Sequence, residues 1–98
     1  MKFNDLKFKQ KNVFGGVHAT HTFENGITIN VYASFGSYCS PKEDLYSEHQ
    51  YEEFEVNLVD AFNNKRFLTR EILDHYDDVI PYKKRFEVQK IIDYVIQY

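Results

Sequence analysis

One stretch constrains the fold more than any other. From Val17 to Phe35 apolar and polar residues alternate, and the alternation breaks once, at Asn25-Gly26. Val17, Ala19, His21 and Phe23 form one row before the break, and Ile27, Ile29, Val31, Ala33 and Phe35 form another after it. A period of two rich in β-branched residues is the pattern of a half-buried strand, because successive side chains leave a strand on opposite faces. Asn-Gly between two such runs marks a hairpin. A two-residue Asn25-Gly26 loop would set Phe23 opposite Thr28 and send the two apolar rows to opposite faces. A three-residue loop, Glu24-Asn25-Gly26, pairs Phe23 with Ile27, His21 with Ile29 and Ala19 with Val31, and only this register buries both rows together. Gly26 then takes the left-handed position that closes such a loop, where a Cβ would clash. On this register His21 lies on the buried row, while Thr28 and Asn30 face solvent.

The rest of the chain supplies partners for the hairpin. Phe54, Val56 and Leu58 alternate with Glu53, Glu55 and Asn57, which predicts a third strand at about 51–60 with the first set inward. Asp60 to Arg66, with Asn63-Asn64, reads as a turn, and Phe67-Leu68-Thr69 as a short fourth strand pairing back on the third. Leu6-Lys7-Phe8-Lys9 reads as an edge strand whose lysines guard against edge-to-edge pairing. Near the C-terminus the period changes: Val88, Ile91, Ile92, Val95 and Tyr98 form a helical stripe, with Gln89, Lys90, Asp93 and Gln97 off it. Pro81 fits just before this helix, of about four turns. Sheet and helix each have one apolar surface to bury, so the expected architecture is α+β: an antiparallel sheet of three to five strands with a C-terminal helix packed on one face. At 98 residues this is a single domain, 1–98.

Charge narrows the functional classes. The net formal charge is only −3, but residues 43–60 hold Glu43, Asp44, Glu48, Glu52, Glu53, Glu55 and Asp60 with no Lys or Arg. Such a segment repels a phosphate backbone, and no basic stripe compensates, so direct nucleic-acid binding is not expected. No apolar run approaches the roughly 20 residues of a membrane span, and no secretory signal is visible, so neither a membrane role nor export is expected. The single cysteine fits a reducing compartment.

Several residues invite a chemical role. His18 and His21, three apart on a strand, point to opposite faces and do not share a metal. Asp74, His75, Asp77 and Asp78 suit a divalent ion or acid-base chemistry, but carboxylates just before a helix more often cap its free amides. Cys39 has neither a helix nor a basic neighbour in sequence to lower its pKa, and Gly15-Gly16 does not complete a phosphate-binding loop. No catalytic, cofactor or metal residues are therefore assigned. Aromatic residues make up 17% of the chain, with no tryptophan, and they meet the acid in one segment. Tyr38, Glu43, Asp44, Tyr46, Glu48, Tyr51, Glu52, Glu53 and Glu55 are the candidate partner-binding residues, because tyrosine offers large contact area at low entropic cost. The competing reading packs half of these tyrosines on the sheet and leaves the carboxylates merely solvating it.

A set of short landmarks carries a resemblance. Asp5-Leu6-Lys7-Phe8-Lys9, Gly15-Gly16, Phe23-x-Asn25-Gly26, Ser37-Tyr38, Tyr51-Glu52, Val56 and Asp77-Asp78-Val79-Ile80-x-Tyr82 occur in an order that resembles a family of small tailed-bacteriophage accessory proteins. The chain departs from that pattern at Cys39, where a loop glycine is usual, in a longer 39–50 loop, and at Lys83-Lys84, where a Leu-Thr helix cap is common. The resemblance implies a phage-encoded protein acting in the cytoplasm of the infected bacterial host. Products of this size and acidity often bind and inhibit a host protein, including defence systems such as CRISPR effectors. The leading expectation is thus a non-enzymatic inhibitor of a host defence factor, with self-association left open. The alternative is a small-ligand or nucleotide sponge with Tyr38, Tyr46 and Tyr51 stacking on the ligand. A metal-dependent hydrolase using Asp74, Asp77 and Asp78 ranks last.

Overall fold

A computed structural model describes residues 1–63 and 66–98. Five strands follow one another in space as in sequence: β1 (Lys9–Asn12), β2 (Gly15–Thr22), β3 (Ile27–Ala33), β4 (Glu53–Asp60) and β5 (Val79–Lys84). All neighbours are antiparallel, in the order β1-β2-β3-β4-β5. A short helix α1 (Thr69–Leu73) lies between β4 and β5, and α2 (Arg85–Ile96) ends the chain. The fold is α+β, with the sheet and the C-terminal helix arranged as the periodicities predict.

The central hairpin has the three-residue loop. His21 stands opposite Ile29 and Ala19 opposite Val31, and Phe23 N–H donates to the Ile27 carbonyl at 2.8 Å. Gly26 sits at φ +84°, so the backbone requires glycine, and a Cβ there would displace the exposed Phe62 ring, 2.5 Å away. The loop also serves the helix. Asn25 Nδ2 donates to the Val95 carbonyl at 2.9 Å, a second bond to a C-terminal carbonyl of α2 that also takes the Tyr98 N–H at 3.1 Å.

The core lies between one sheet face and α2. Ile29, Val31, Phe54, Val56 and Leu58 meet Val88, Ile92 and Val95, all fully buried. Tyr98, placed on the helix stripe by spacing, is exposed, because α2 ends two residues earlier. Phe3, Phe8 and Phe54 form a triangle with ring centroids 5.4–5.7 Å apart. The Arg85 guanidinium lies 5.3 Å from the Phe54 ring and donates to the Glu48 carbonyl, closing this cluster from above.

Several expectations are corrected. The first edge strand is Lys9–Asn12 rather than 6–9: residues 3–5 make a 3-10 turn that buries Phe3, and Leu6 is drawn into the core. Phe67-Leu68-Thr69 reduces to one bridge, Phe67 opposite Val59, since Thr69 already begins α1 and its hydroxyl accepts the Leu58 N–H at 3.0 Å. Pro81 does not precede the helix but lies inside β5. An edge strand tolerates a missing N–H, and the register shifts here, with Pro81 and Tyr82 bulging opposite Glu55. The carboxylates at 74–78 do not cap α2 either. Glu87 does so, accepting the Lys84 N–H at 3.0 Å, which holds its carboxyl below the ordinary glutamate range. Of the predicted turn at 60–66, Asp60 Oδ1 accepts the N–H groups of Phe62 and Asn63, and Asn64 lies outside the described residues. His21 is half-buried rather than enclosed, packed edge-on against Phe23 at 4.9 Å beside the end of α2.

Candidate functional site

The second sheet face carries the alternate residues of the same strands. β2 contributes His18, Thr20 and Thr22, β3 contributes Thr28, Asn30 and Tyr32, and β4 contributes Asn57 and Val59. With Ala61 and Phe67 they line an open hollow of about 590 Å³. Its floor is tied across three strands. His18 Nε2 lies 3.3 Å from Asn30 Oδ1, and Asn30 Nδ2 donates to Asn57 Oδ1 at 2.9 Å. Thr22 and Thr28 share a hydroxyl hydrogen bond of 2.7 Å. The His18 and Tyr32 rings stack at 4.4 Å and 15°. Burial pushes the Tyr32 hydroxyl up, Asn57 opposes the rise and the Glu55 charge adds to it. Two residues expected to face solvent are in fact buried, Thr28 at 8% and Asn57 at 7% exposure, because this face is concave rather than flat.

Beside the hollow, across the Asn57–Val79 register pair, lies a smaller depression of about 310 Å³ lined by Tyr38, Tyr76, Asp77, Val79, Pro81 and Tyr82. Tyr38 reaches it because two bonds pull the 34–40 segment across the sheet. Its N–H donates to Glu55 Oε1 at 3.0 Å, and its carbonyl accepts the Tyr82 N–H at 3.0 Å. The Tyr38 and Tyr82 rings meet edge-on at 6.2 Å, and Lys42 Nζ sits 5.3 Å over the Tyr38 ring. Tyr82 holds φ at +55°, the left-handed region that costs a bulky residue about 1–2 kcal/mol. Tyr82 is nonetheless 45% exposed, and Tyr76 78%. A strained backbone that displays an aromatic ring to solvent gains little packing in return, which marks the position as a candidate for recognition.

The sequence-predicted residues divide between this depression and other places. Tyr38 lines it, and Glu55 does not line it but holds Tyr38 there through the Tyr38 N–H. Glu53 lies two residues before Glu55 on β4, and Glu52 is exposed beside the strand's start. Glu43, Asp44 and Tyr46 go to the β1–β2 side of the same sheet end, where Gly16 N–H donates to the Leu45 carbonyl and Phe35 N–H to Asp44 Oδ1. There Tyr46 is exposed, as are Val13 and Phe14 in the β1–β2 turn. Glu48 gives its backbone carbonyl to Arg85, and its carboxylate lies 3.7 Å from His49 Nε2. Tyr51 must be removed from the surface: it is 1% exposed, its hydroxyl donates to the Glu43 carbonyl at 2.5 Å and accepts the Leu45 N–H at 2.8 Å. It anchors the acidic loop from inside, and the stacking trio of Tyr38, Tyr46 and Tyr51 does not form. Tyr76, Pro81 and Tyr82 lie outside the candidate partner-binding set, and Asp77 enters the sequence reading only as a carboxylate suited to a helix cap, an ion or acid-base chemistry. The local signal for them is Tyr76 and Tyr82 on either side of the stretch from Asp77 to Pro81.

The other chemical candidates are accounted for locally. Asp78 pairs with Arg70 at 3.1 Å, Asp77 Oδ1 accepts the Asp78 N–H, and Asp74 is the left-handed residue ending α1. His18 and His21 are on opposite faces. Among the described residues no group of three His, Cys, Asp or Glu side chains is placed to hold a metal ion. Cys39 is buried, donates to the Ser34 carbonyl at 3.1 Å and accepts the Ser34 N–H at 3.3 Å; burial pushes its thiol up, which disfavours the nucleophilic thiolate. Among the described residues no helix is long and apolar enough to cross a membrane.

No protein-family model matches the chain, and neither a curated protein nor a solved structure matches it. The class therefore rests on the molecule itself: an α+β domain with a five-stranded antiparallel meander, one face closed by the terminal helix and the other bearing a polar hollow and a tyrosine-lined depression.

Proposed function

We propose that this chain is a binding protein, not an enzyme, and that it engages a protein partner through the depression formed by Tyr38, Tyr76, Pro81 and Tyr82 together with Glu55 and Asp77. The observation that carries this reading is Tyr82, held at positive φ with its ring exposed against Tyr38. Three tyrosines give large contact area with few rotors to freeze, and Lys42 over Tyr38 illustrates the cation–π geometry that a partner's basic side chain would adopt. The carboxylates of Asp77, Glu55 and the exposed Glu52 favour a partner with a basic surface. The resemblance to small tailed-phage proteins suggests the biological class: a host protein in the infected bacterial cytoplasm, a defence factor such as a CRISPR effector or a component of another defence system, whose function the bound chain blocks.

The test has two arms. Expression of the chain in bacteria carrying an active defence system should restore plating of a phage which that system restricts, and Tyr38→Ala with Tyr76→Ala should abolish the rescue while circular dichroism stays unchanged. Tyr46→Ala, on the other side of the sheet end, should leave rescue intact. Equal rescue by the tyrosine double variant and the parent chain would reject the depression as the site.

A further inference from the structure

The polar hollow on the open sheet face is separate from the tyrosine depression, and its chemistry is different. Among the described residues no carboxylate or cation lines it; its walls are three threonines, two asparagines, a histidine and a tyrosine on one side, and Val59, Ala61 and Phe67 on the other. Each asparagine carboxamide has more donor and acceptor positions than the two bonds along the floor consume, so hydrogen-bonding capacity is left facing the hollow. Phe67, 46% exposed, offers an aromatic surface beside these edges. A flat ring with hydrogen-bonding edges and an apolar face matches this pair of walls, and a nucleobase has that form.

Charge at the two rims then selects what the base is attached to. On the β1 side Lys9 stands opposite His18 in register and so faces the same way, and Lys11 Nζ lies 5.5 Å from the Tyr32 ring, held by the Ser34 and Ser37 hydroxyls. Among the described residues Lys9 forms no ion pair. On the β4–β5 side stand Glu55, opposite Tyr32 in register, and Asp77. One rim thus attracts a phosphate, and the other repels a continuing phosphodiester chain. We infer that the open-face hollow binds a single mononucleotide, its base between the asparagine row and Phe67 and its phosphate at Lys9 and Lys11.

The test is calorimetric titration of the full chain with AMP, GMP, CMP and UMP, and with adenosine and inorganic phosphate as fragments. At least one mononucleotide should bind. Thr20→Glu is the blocking variant, since Thr20 is exposed and opposite Asn30 on this face. It should lower affinity by about tenfold or more. Lys9→Glu should weaken the nucleotide and leave the nucleoside unchanged. Circular dichroism and the melting temperature of both variants identify any loss of fold, and chemical-shift perturbation of Thr20, Asn30 and Phe67 in the parent chain then reads the site without substitution. Failure of all four mononucleotides to bind would overturn the inference, as would binding undiminished in folded Thr20→Glu or shifts confined to residues outside the hollow.

Discussion

The two faces of this sheet are made by the same strands and stabilised by different means. On the covered face Ile29, Val31, Val56 and Leu58 are fully buried in the apolar cluster that α2 closes, with half-buried His21 at its edge. On the open face the neighbouring positions hold Thr28, Asn30, Tyr32 and Asn57, joined side chain to side chain across three strands. Burial of apolar area drives the first face, at roughly 25 cal/mol per Å². The second face contributes only the small net gain of each hydrogen bond, roughly 0.5–1.5 kcal/mol. A chain that needed the open face only for solubility could place any solvated residue there. A linked row of amides, hydroxyls and rings is what recognition requires.

The comparison is broken most severely by cavities on the covered face. Ile29→Ala or Ile92→Ala should cost about 2–5 kcal/mol in urea melts, the range for large-to-small changes in a packed core. A smaller loss follows where a buried polar group is orphaned. Thr69 is fully buried and its hydroxyl accepts the Leu58 N–H, so Thr69→Val should cost about 1–3 kcal/mol. On the open face Thr28→Ala should cost about 1 kcal/mol, the worth of its bond to Thr22. Equal losses for Thr28→Ala and Ile29→Ala would erase the distinction between the faces.

Two further variants sharpen it. Glu87 is partly exposed at the start of α2, and its carboxyl is held below its ordinary range chiefly by the Lys84 N–H. A depressed folded pKa gives stability that is present above the unfolded glutamate pKa and is lost as pH falls through the folded value. Glu87→Gln should therefore lower stability at neutral pH and shrink the acid-side loss, as measured by melts across the acidic range. The smallest effect is expected at Tyr82. Glycine there relieves the left-handed strain but adds backbone entropy to the unfolded chain, so Tyr82→Gly should change stability by less than about 1 kcal/mol. Binding to the partner should nevertheless be lost. A site that weakens binding without weakening the fold is a recognition site.

How much of this was legible in the sequence follows from the range over which each feature is encoded. The hairpin, its three-residue loop and the α2 stripe are local: periodicity and one Asn-Gly specify them. β5 is not local. Val79–Lys84 contains a proline and no clean alternation, and it becomes a strand through pairing with β4 across a bulge. The acidic stretch misled because neighbours in sequence are not neighbours on the surface. Glu53 and Glu55 ride on a strand, Glu43 and Asp44 sit on the loop that Tyr51 anchors from within, and Glu48 gives its backbone carbonyl to Arg85. Tyr76 and Tyr82 join Tyr38 only because the 34–40 segment crosses the open face to meet the β5 bulge, a long-range event that no window of the sequence records.

The proposal that one face holds the fold and the other meets a partner is tested most directly by hydrogen–deuterium exchange on a complex with a protein captured from host lysate. Amides at Tyr38, Tyr76, Asp77 to Ile80 and Tyr82 should gain protection, while the solvent side of α2, with exposed Phe86 and Tyr94, should exchange as in the free chain. Protection concentrated on α2 with the tyrosine depression unchanged would contradict the account.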